Sequence, residues 1–456
     1  MTVTPNIIWV TLDSIRADHT SMGGYDRNTT PELERIAESN EGRWYGECIS
    51  HGRWSLPSIS SILTGTYPFH HQTGLGNNIL PDTVTTIPER LSEVGYTTAC
   101  ISRNPHLSHE TNLDRGFDRF TYINPETILN DVGVKTLLKY LVNIRRHSAG
   151  FCTTLNAHST PFLVNDLAKR WIANVDDDPL FMYLHYNEPH TPYYPPLPYL
   201  EQFTDHITLS SKEAVELVLD VYANMQEYIA HGCEFTEDEW AAIKAMYDAE
   251  IYYTDKCIGR LFDYAQEKLS GETIFFVTAD HGDLFGEYGL LGHKLVLHDG
   301  LTHVPMITHG LQLDRELVQH ADFMKTIVNS VGANSEGIQG YDLRTEERQF
   351  TVSQTGEPNF DEFAEFNPGF DTERFHQSPY SAVRTSQYKL CTSDDRSEFF
   401  ELPDETNDQS DTYPDEKHSL AAQFEEWSAT HIDPQVGEQV EYSDSMKRRL
   451  EDLGYL

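Results

Sequence analysis

Basic residues are scarce in this chain: 33 Lys and Arg stand against 72 Asp and Glu over 456 residues, a formal net charge of −39. The first lysine is Lys135. That balance excludes general nucleic-acid affinity, because phosphate backbones demand cationic contacts. Long apolar runs are missing too. No run of about 18 apolar residues occurs, so no membrane insertion is expected. The chain enters a strand pattern by Asn6, which leaves no room for a signal peptide, and the default compartment is the cytoplasm. The six cysteines (Cys48, Cys100, Cys152, Cys233, Cys257 and Cys391) form no CxxC and no dense cluster. Buried free thiols are therefore expected. Disordered acidic chains lack aromatics; this one has 24 Tyr and 22 Phe. The acids are spread along the whole length. We read a folded, halophilic protein, because at about 1 M salt the Debye length shrinks to about 3 Å and self-repulsion is screened.

The length allows one large domain and a smaller one. Apolar runs of strand length fall at 6–13, 97–102, 179–186, 273–280 and 304–308. Helical patterns fall at 31–40, 57–64, 84–94, 240–269 and 319–331. This alternation predicts an α/β fold with a mostly parallel central sheet and helices on both faces. Residues 126–175 read as a polar helical insert, and 196–240 as helix-rich; either is a candidate lining for a site. From about 345 the pattern changes. SAVRTSQYKLCTS and SEFFELPD alternate like antiparallel strands, and the last 30 residues read as an acidic helical tail. We expect a catalytic domain over 1–344 and a small α+β subdomain over 345–456.

Two apolar runs end in aspartate: NIIWVTLD in Asp13, and TIFFVTADHG in Asp280 with His281 beside it. Ligands collect outside the carboxyl ends of parallel strands. Asp13 is either a hard oxygen ligand or a turn residue. Adjacent Asp280 and His281, followed by a glycine-rich loop, suit a metal ion. In WSLPSISSILTG, Pro57 and Gly65 bracket a helix, so Ser55 sits near its start, where free N–H groups stabilise an anion. Serine is also a common helix cap. His293 and Lys294 in GLLGHK return toward the same mouth, with Lys294 as a point charge for an anion. His190, in HYNEPHTPYYPP, is placed to protonate a leaving oxygen or to hold an anion. The alternative is a packing loop. Asn104 and His106 follow the 97–102 strand, and Asn77 follows the Ser55 helix as a weak oxyanion donor.

These motifs together resemble the sulfatase family of the alkaline-phosphatase superfamily. NIIWVTLDSIRAD, Ser55-Leu-Pro57-Ser58-Ile59 with LTGTYP, GFDRF, HYNEPHTPY, TADHGDLFGEYGLLGHK, HVPMI, AVRTSQYKL and ELPDETND look like family landmarks, in order along the chain. The resemblance implies an alkaline-phosphatase-like fold, with Asp13, Ser14, Asp280 and His281 at one divalent ion (Ca, Mn or Mg, with Zn a further candidate). It implies Ser55 as nucleophile, with Lys294, His190 and His106 in catalytic roles and Asn77, Asn104 and His293 in substrate binding. Three positions depart from the pattern. Ile59 replaces the arginine that supports the nucleophile and belongs to the signal for conversion to formylglycine, which weighs against conversion of Ser55. Ser14 replaces a second metal Asp. His281 stands where many sulfatases have Asn, and imidazole favours Mn or Zn over Ca. The Asp-His pair is nearest the phosphonate monoester hydrolase branch.

The expected function is metal-dependent hydrolysis of small sulfate esters. One alternative is a phosphate or phosphonate ester hydrolase, or a phosphotransferase, using unmodified Ser55. The other is a non-catalytic binding protein on the same fold. Sequence leaves the oligomeric state open.

Overall fold

The computed structural model of the chain describes residues 4–124, 127–148, 158–175, 178–435, 437, 442–443, 446–448 and 450. Seven strands make the central sheet: β1 (Asn6–Leu12), β2 (Gly42–Trp44), β3 (Thr97–Ser102), β4 (Arg119–Tyr122), β5 (Leu180–Tyr186), β6 (Thr273–Ala279) and β7 (Met306–His309). Their order is β2-β7-β6-β1-β5-β3-β4. β1 runs parallel to both neighbours, and β3 runs parallel to β5 and β4. β7 runs antiparallel to β6 and β2.

Every residue of β1 and of β5 is buried. A parallel sheet covered on both faces needs such continuous apolar strands. β2 (GRW) and β4 (RFTY) are short, polar edge strands, and no sequence run marked them. The single strand expected at 304–308 is split at Pro305. His303–Val304 pairs with Glu47–Ile49 in a small second sheet, while β7 begins at Met306. Proline has no N–H for a continuous ladder.

The helices Pro31–Ala37, Ser55–Thr64, Ile87–Glu93, Glu237–Lys268 and His320–Ser330 lie where helical patterns were read. The longest starts earlier than expected, at a capping box in which the Thr236 hydroxyl and Glu239 carboxylate receive each other's backbone N–H. Within the expected insert, the helix Pro161–Ile172 packs on β3, β5 and the helix Glu237–Lys268, burying Leu163, Val164, Leu167, Ala168 and Ile172. It is therefore part of the layer covering the sheet. Residues 125–126 and 149–157, including Cys152, lie outside the described residues.

Residues 351–401 form an antiparallel sheet of β8 (Thr351–Thr355), β9 (Tyr380–Arg384), β10 (Tyr388–Thr392) and β11 (Ser397–Glu401). The helix Pro414–His431 follows, and its Trp427 lies edge-on to Tyr67, with ring centroids 4.7 Å apart. Of the expected helical end LEDLGYL, only Leu450 is described. Cys48, Cys100, Cys233, Cys257 and Cys391 are buried and free. Among the described residues no helix is long and apolar enough to cross a membrane.

The centre of the core is the stack of Trp9 on Phe276 from adjacent β1 and β6, 4.8 Å between centroids and both fully buried. Trp9→Ala should lower the unfolding free energy by about 3–5 kcal/mol, measured by urea denaturation.

Candidate active site

The site is built by strand register. Leu12 of β1 pairs with Ala279 of β6, so Asp13 and Asp280 leave adjacent strands at the same level. Thr11 pairs with His185 of β5, which brings that imidazole to the other side of Asp13. One ligand atom each from Asp13, His185 and Asp280 all lie within 4.8 Å of one another, and all three residues are fully buried. His281 Nε2 stands 3.4 Å from Asp13 Oδ1 and 3.7 Å from Asp280 Oδ2.

The turn after β1 is strained. Ser14 has φ 64°, a left-handed conformation that costs a non-glycine residue about 1–2 kcal/mol. Hydrogen bonds hold it there. Tyr247 donates its hydroxyl to the Ser14 carbonyl at 2.7 Å, and the Ser14 N–H reaches Asp280 Oδ1 at 3.4 Å. The Ser14 hydroxyl donates to Asp13 Oδ1 at 3.0 Å. Ser14 thus tethers the Asp13 carboxylate.

Ser55 is the first residue of the helix Ser55–Thr64, after Trp54 in extended conformation. Its hydroxyl lies 3.2 Å from His281 Nε2 and receives a hydrogen bond from Asn104 Nδ2 at 3.1 Å. Asn104 Nδ2 also donates to Asp13 Oδ2 at 2.8 Å. Asn104 therefore links the Ser55 hydroxyl and the Asp13 carboxylate. The Ser50 hydroxyl donates to the Asp280 carbonyl and fixes the start of that loop.

The electrostatics suit a cation. Burial would raise the Asp13 carboxyl, but the charge on His190, a hydrogen bond from His185 and the charge on His281 outweigh it and hold Asp13 well below the usual range. Burial, then the charge on Asp13, pushes Asp280 well above it. Buried like charges this close repel unless a positive charge joins them. Asp280 Oδ2 and His185 Nδ1 are buried without a hydrogen-bond partner among the described residues. Two carboxylates and two imidazoles around one point fit a divalent ion of intermediate softness.

The other expected residues are placed as follows. His106 is buried edge-on to Trp54, 5.3 Å between centroids; burial lowers its pKa to about 3, against the opposing pull of Asp13. His190 turns Nδ1 to the Thr191 carbonyl at 2.9 Å, and its ring lies 5.3 Å from that of His293. His293 Nδ1 is 3.0 Å from Asp283 Oδ1. Lys294 Nζ forms an ion pair with Glu362 at 3.2 Å. Asn77 turns its amide to Gln435 and Gly437 of the C-terminal segment, so Asn104 is the asparagine brought to Ser55.

Sequence reading missed His185, Asp283 and Arg53. His185 sits at the carboxyl end of an apolar run, the very signal that marked Asp13 and Asp280. Asp283 follows His281 by two residues. Nothing in the sequence marked Arg53, which donates to the His293 carbonyl at 2.6 Å and to Thr355 Oγ1 at 3.0 Å.

Carboxylates and imidazoles gathered at the carboxyl ends of a mostly parallel sheet, beside a hydroxyl at a helix start, sit here on an alkaline-phosphatase-like α/β fold. A solved structure of the phosphonate monoester hydrolase of Agrobacterium radiobacter superimposes with a TM-score of 0.72 at 19% identity, covering 94% of this chain and 96% of that one. The family model described as Sulfatase matches residues 5–333, and the chain belongs to the sulfatase family. It is similar to an arylsulfatase of Clostridium perfringens (strain 13 / Type A), 24% identical over 76% of this chain and 79% of the relative. It is also similar to arylsulfatase K of Gallus gallus, 25% identical over 92% of this chain and 80% of the relative.

Asp13→Ala and Asp280→Ala should each abolish ester hydrolysis while leaving the far-UV circular dichroism spectrum unchanged. Activity retained in either variant removes that residue from the site.

Proposed function

We propose that the chain is a metal-dependent hydrolase of small sulfate esters with Ser55 at the attacking position. The observation that carries this reading is the convergence of Asp13, His185, Asp280 and His281 around the Ser55 hydroxyl at a helix start. A divalent ion held by those four residues supplies, when bound, Lewis acidity toward an ester oxygen and lowers the pKa of a coordinated hydroxyl.

The remaining work falls to side chains. Asn104 orients the Ser55 hydroxyl and restrains Asp13. The start of the helix Ser55–Thr64 favours negative charge developing beside it. His190 hydrogen-bonds the Thr191 carbonyl through Nδ1, which fixes the ring; in its protonated form it gives a proton to the leaving alkoxide. Lys294 holds an anionic oxygen of the substrate, exchanging its partner Glu362 for that oxygen.

A second reading has its own observation. Ile59, which stands in the position of the family's supporting arginine, is fully buried in the apolar core. It offers nothing polar to the nucleophile or to conversion of Ser55. An unmodified serine clears a phosphoseryl intermediate more readily than a sulfoseryl one, because only formylglycine can expel sulfate by collapse of a hemiacetal. This favours phosphate or phosphonate esters as substrates. Mass spectrometry of the Ser55 peptide, together with parallel assays on aryl sulfate and aryl phosphate, separates the two. A peptide lighter by two hydrogens with sulfate turnover supports the first reading. An unmodified peptide with phosphate turnover alone replaces it with the second.

The net charge of −39 supports a working environment of high salt, and the buried free thiols are at home in a reducing cytoplasm. The urea midpoint should rise steadily between about 0.1 and 1 M KCl, as screening shortens from about 10 to about 3 Å. A flat or falling midpoint overturns the halophilic reading.

A further inference from the structure

Past His281, the chain carries a second group of ligand-type side chains. One ligand atom each from His281, Asp283 and His293 all lie within 4.8 Å of one another, and all three residues are buried. Asp283 Oδ1 and His293 Nδ1 are 3.0 Å apart. Two donor atoms bound to one zinc ion at about 2.0–2.1 Å stand roughly 3.0–3.4 Å apart, so this pair already has the spacing of neighbouring ligands. The Tyr193 hydroxyl donates to Asp283 Oδ2 at 2.6 Å, which orients the carboxylate from behind, as outer partners of metal ligands do. The His293 ring lies 4.7 Å from the His281 ring and 5.3 Å from the His190 ring. Three imidazoles are thus gathered near one buried carboxylate. Arg16 meets Asp283 at its backbone carbonyl, at 3.2 Å, and pairs its charge with Asp18 and Glu287.

We propose that Asp283 and His293, with His281 between the two groups, form a second divalent-cation site beside the Asp13–Asp280 site. His281 turns Nδ1 to the Gly282 carbonyl at 2.9 Å, so Nε2 is its coordinating atom. One imidazole nitrogen binds one ion. The two sites therefore compete for His281, and the second ion binds more weakly than the first. Burial holds the His293 imidazole neutral by pushing its pKa well down, the protonation state a metal ligand needs. The inference stands on the Asp283 group and leaves the substrate of the Ser55 reaction unspecified.

The test is zinc binding by the full chain. EDTA-treated protein in high salt is titrated with ZnCl2 by calorimetry, and bound zinc is counted by mass spectrometry after desalting. The wild-type chain should take two ions in two steps, the second at least tenfold weaker. Asp283→Asn and His293→Gln should each take one, with the tight step kept. Circular dichroism checks that each variant is folded, and either folded variant suffices. A wild-type chain that takes one ion, or a folded variant that still takes two, overturns the proposal. Asp13→Asn reports separately on the first site: loss of the tight step there alone tests the Ser55 centre and leaves the second site standing.

Discussion

Two aspartates buried side by side govern this molecule. With ligand atoms within 4.8 Å, a pair of unscreened negative charges repels by about 3–4 kcal/mol even at an effective dielectric of about 20. The fold accepts this at the one place where the parallel sheet demands it, the level at which β1 and β6 end together. The strained turn at Ser14, the asparagine bridging to Ser55 and the two imidazoles flanking Asp13 are all ways of restraining that pair. A divalent cation held between the two carboxylates would turn that repulsion into attraction.

The departures from the family pattern form a coherent set. Ser14 removes one carboxylate from the expected ligand group, and His185 supplies an imidazole on the far side of Asp13. His281 adds another. The group is richer in nitrogen than the resemblance implied, and nitrogen donors suit softer ions than calcium. Ile59 goes further: the position that is polar in the family is apolar here. Asn104 and His281 both reach the Ser55 hydroxyl from outside its helix.

The fold was legible where burial imposes a simple rule. β1, β5 and β6 are covered on both faces and read as unbroken apolar runs, so their ends, and with them Asp13 and Asp280, were located directly. β2 and β4 obey no such rule because edge strands tolerate polar residues. His185 escaped notice for the opposite reason. It lies inside the buried run and not just past its end, and in a strand buried on both faces no alternation shows which side chain turns toward a site; register against β1 settles it. Asn77 and Asn104 looked alike in sequence. The difference between them arises from the C-terminal segment that approaches Asn77, a long-range contact that local pattern does not encode. Pro305 was visible, but that it divides one strand between two sheets depends on the partner Glu47–Ile49.

Arg53 gives the antiparallel sheet a role beyond covering surface. One guanidinium nitrogen grips the carbonyl of His293 and another grips Thr355 at the end of β8. The histidine loop and the later sheet thus share a single clamp lying two residues before Ser55. The sheet edge, the histidine loop and the approach to the Ser55 helix are thereby tied together through one side chain. The later sheet thus does more than cover surface: through Thr355 it holds in place the arginine that fixes the His293 backbone beside the candidate site.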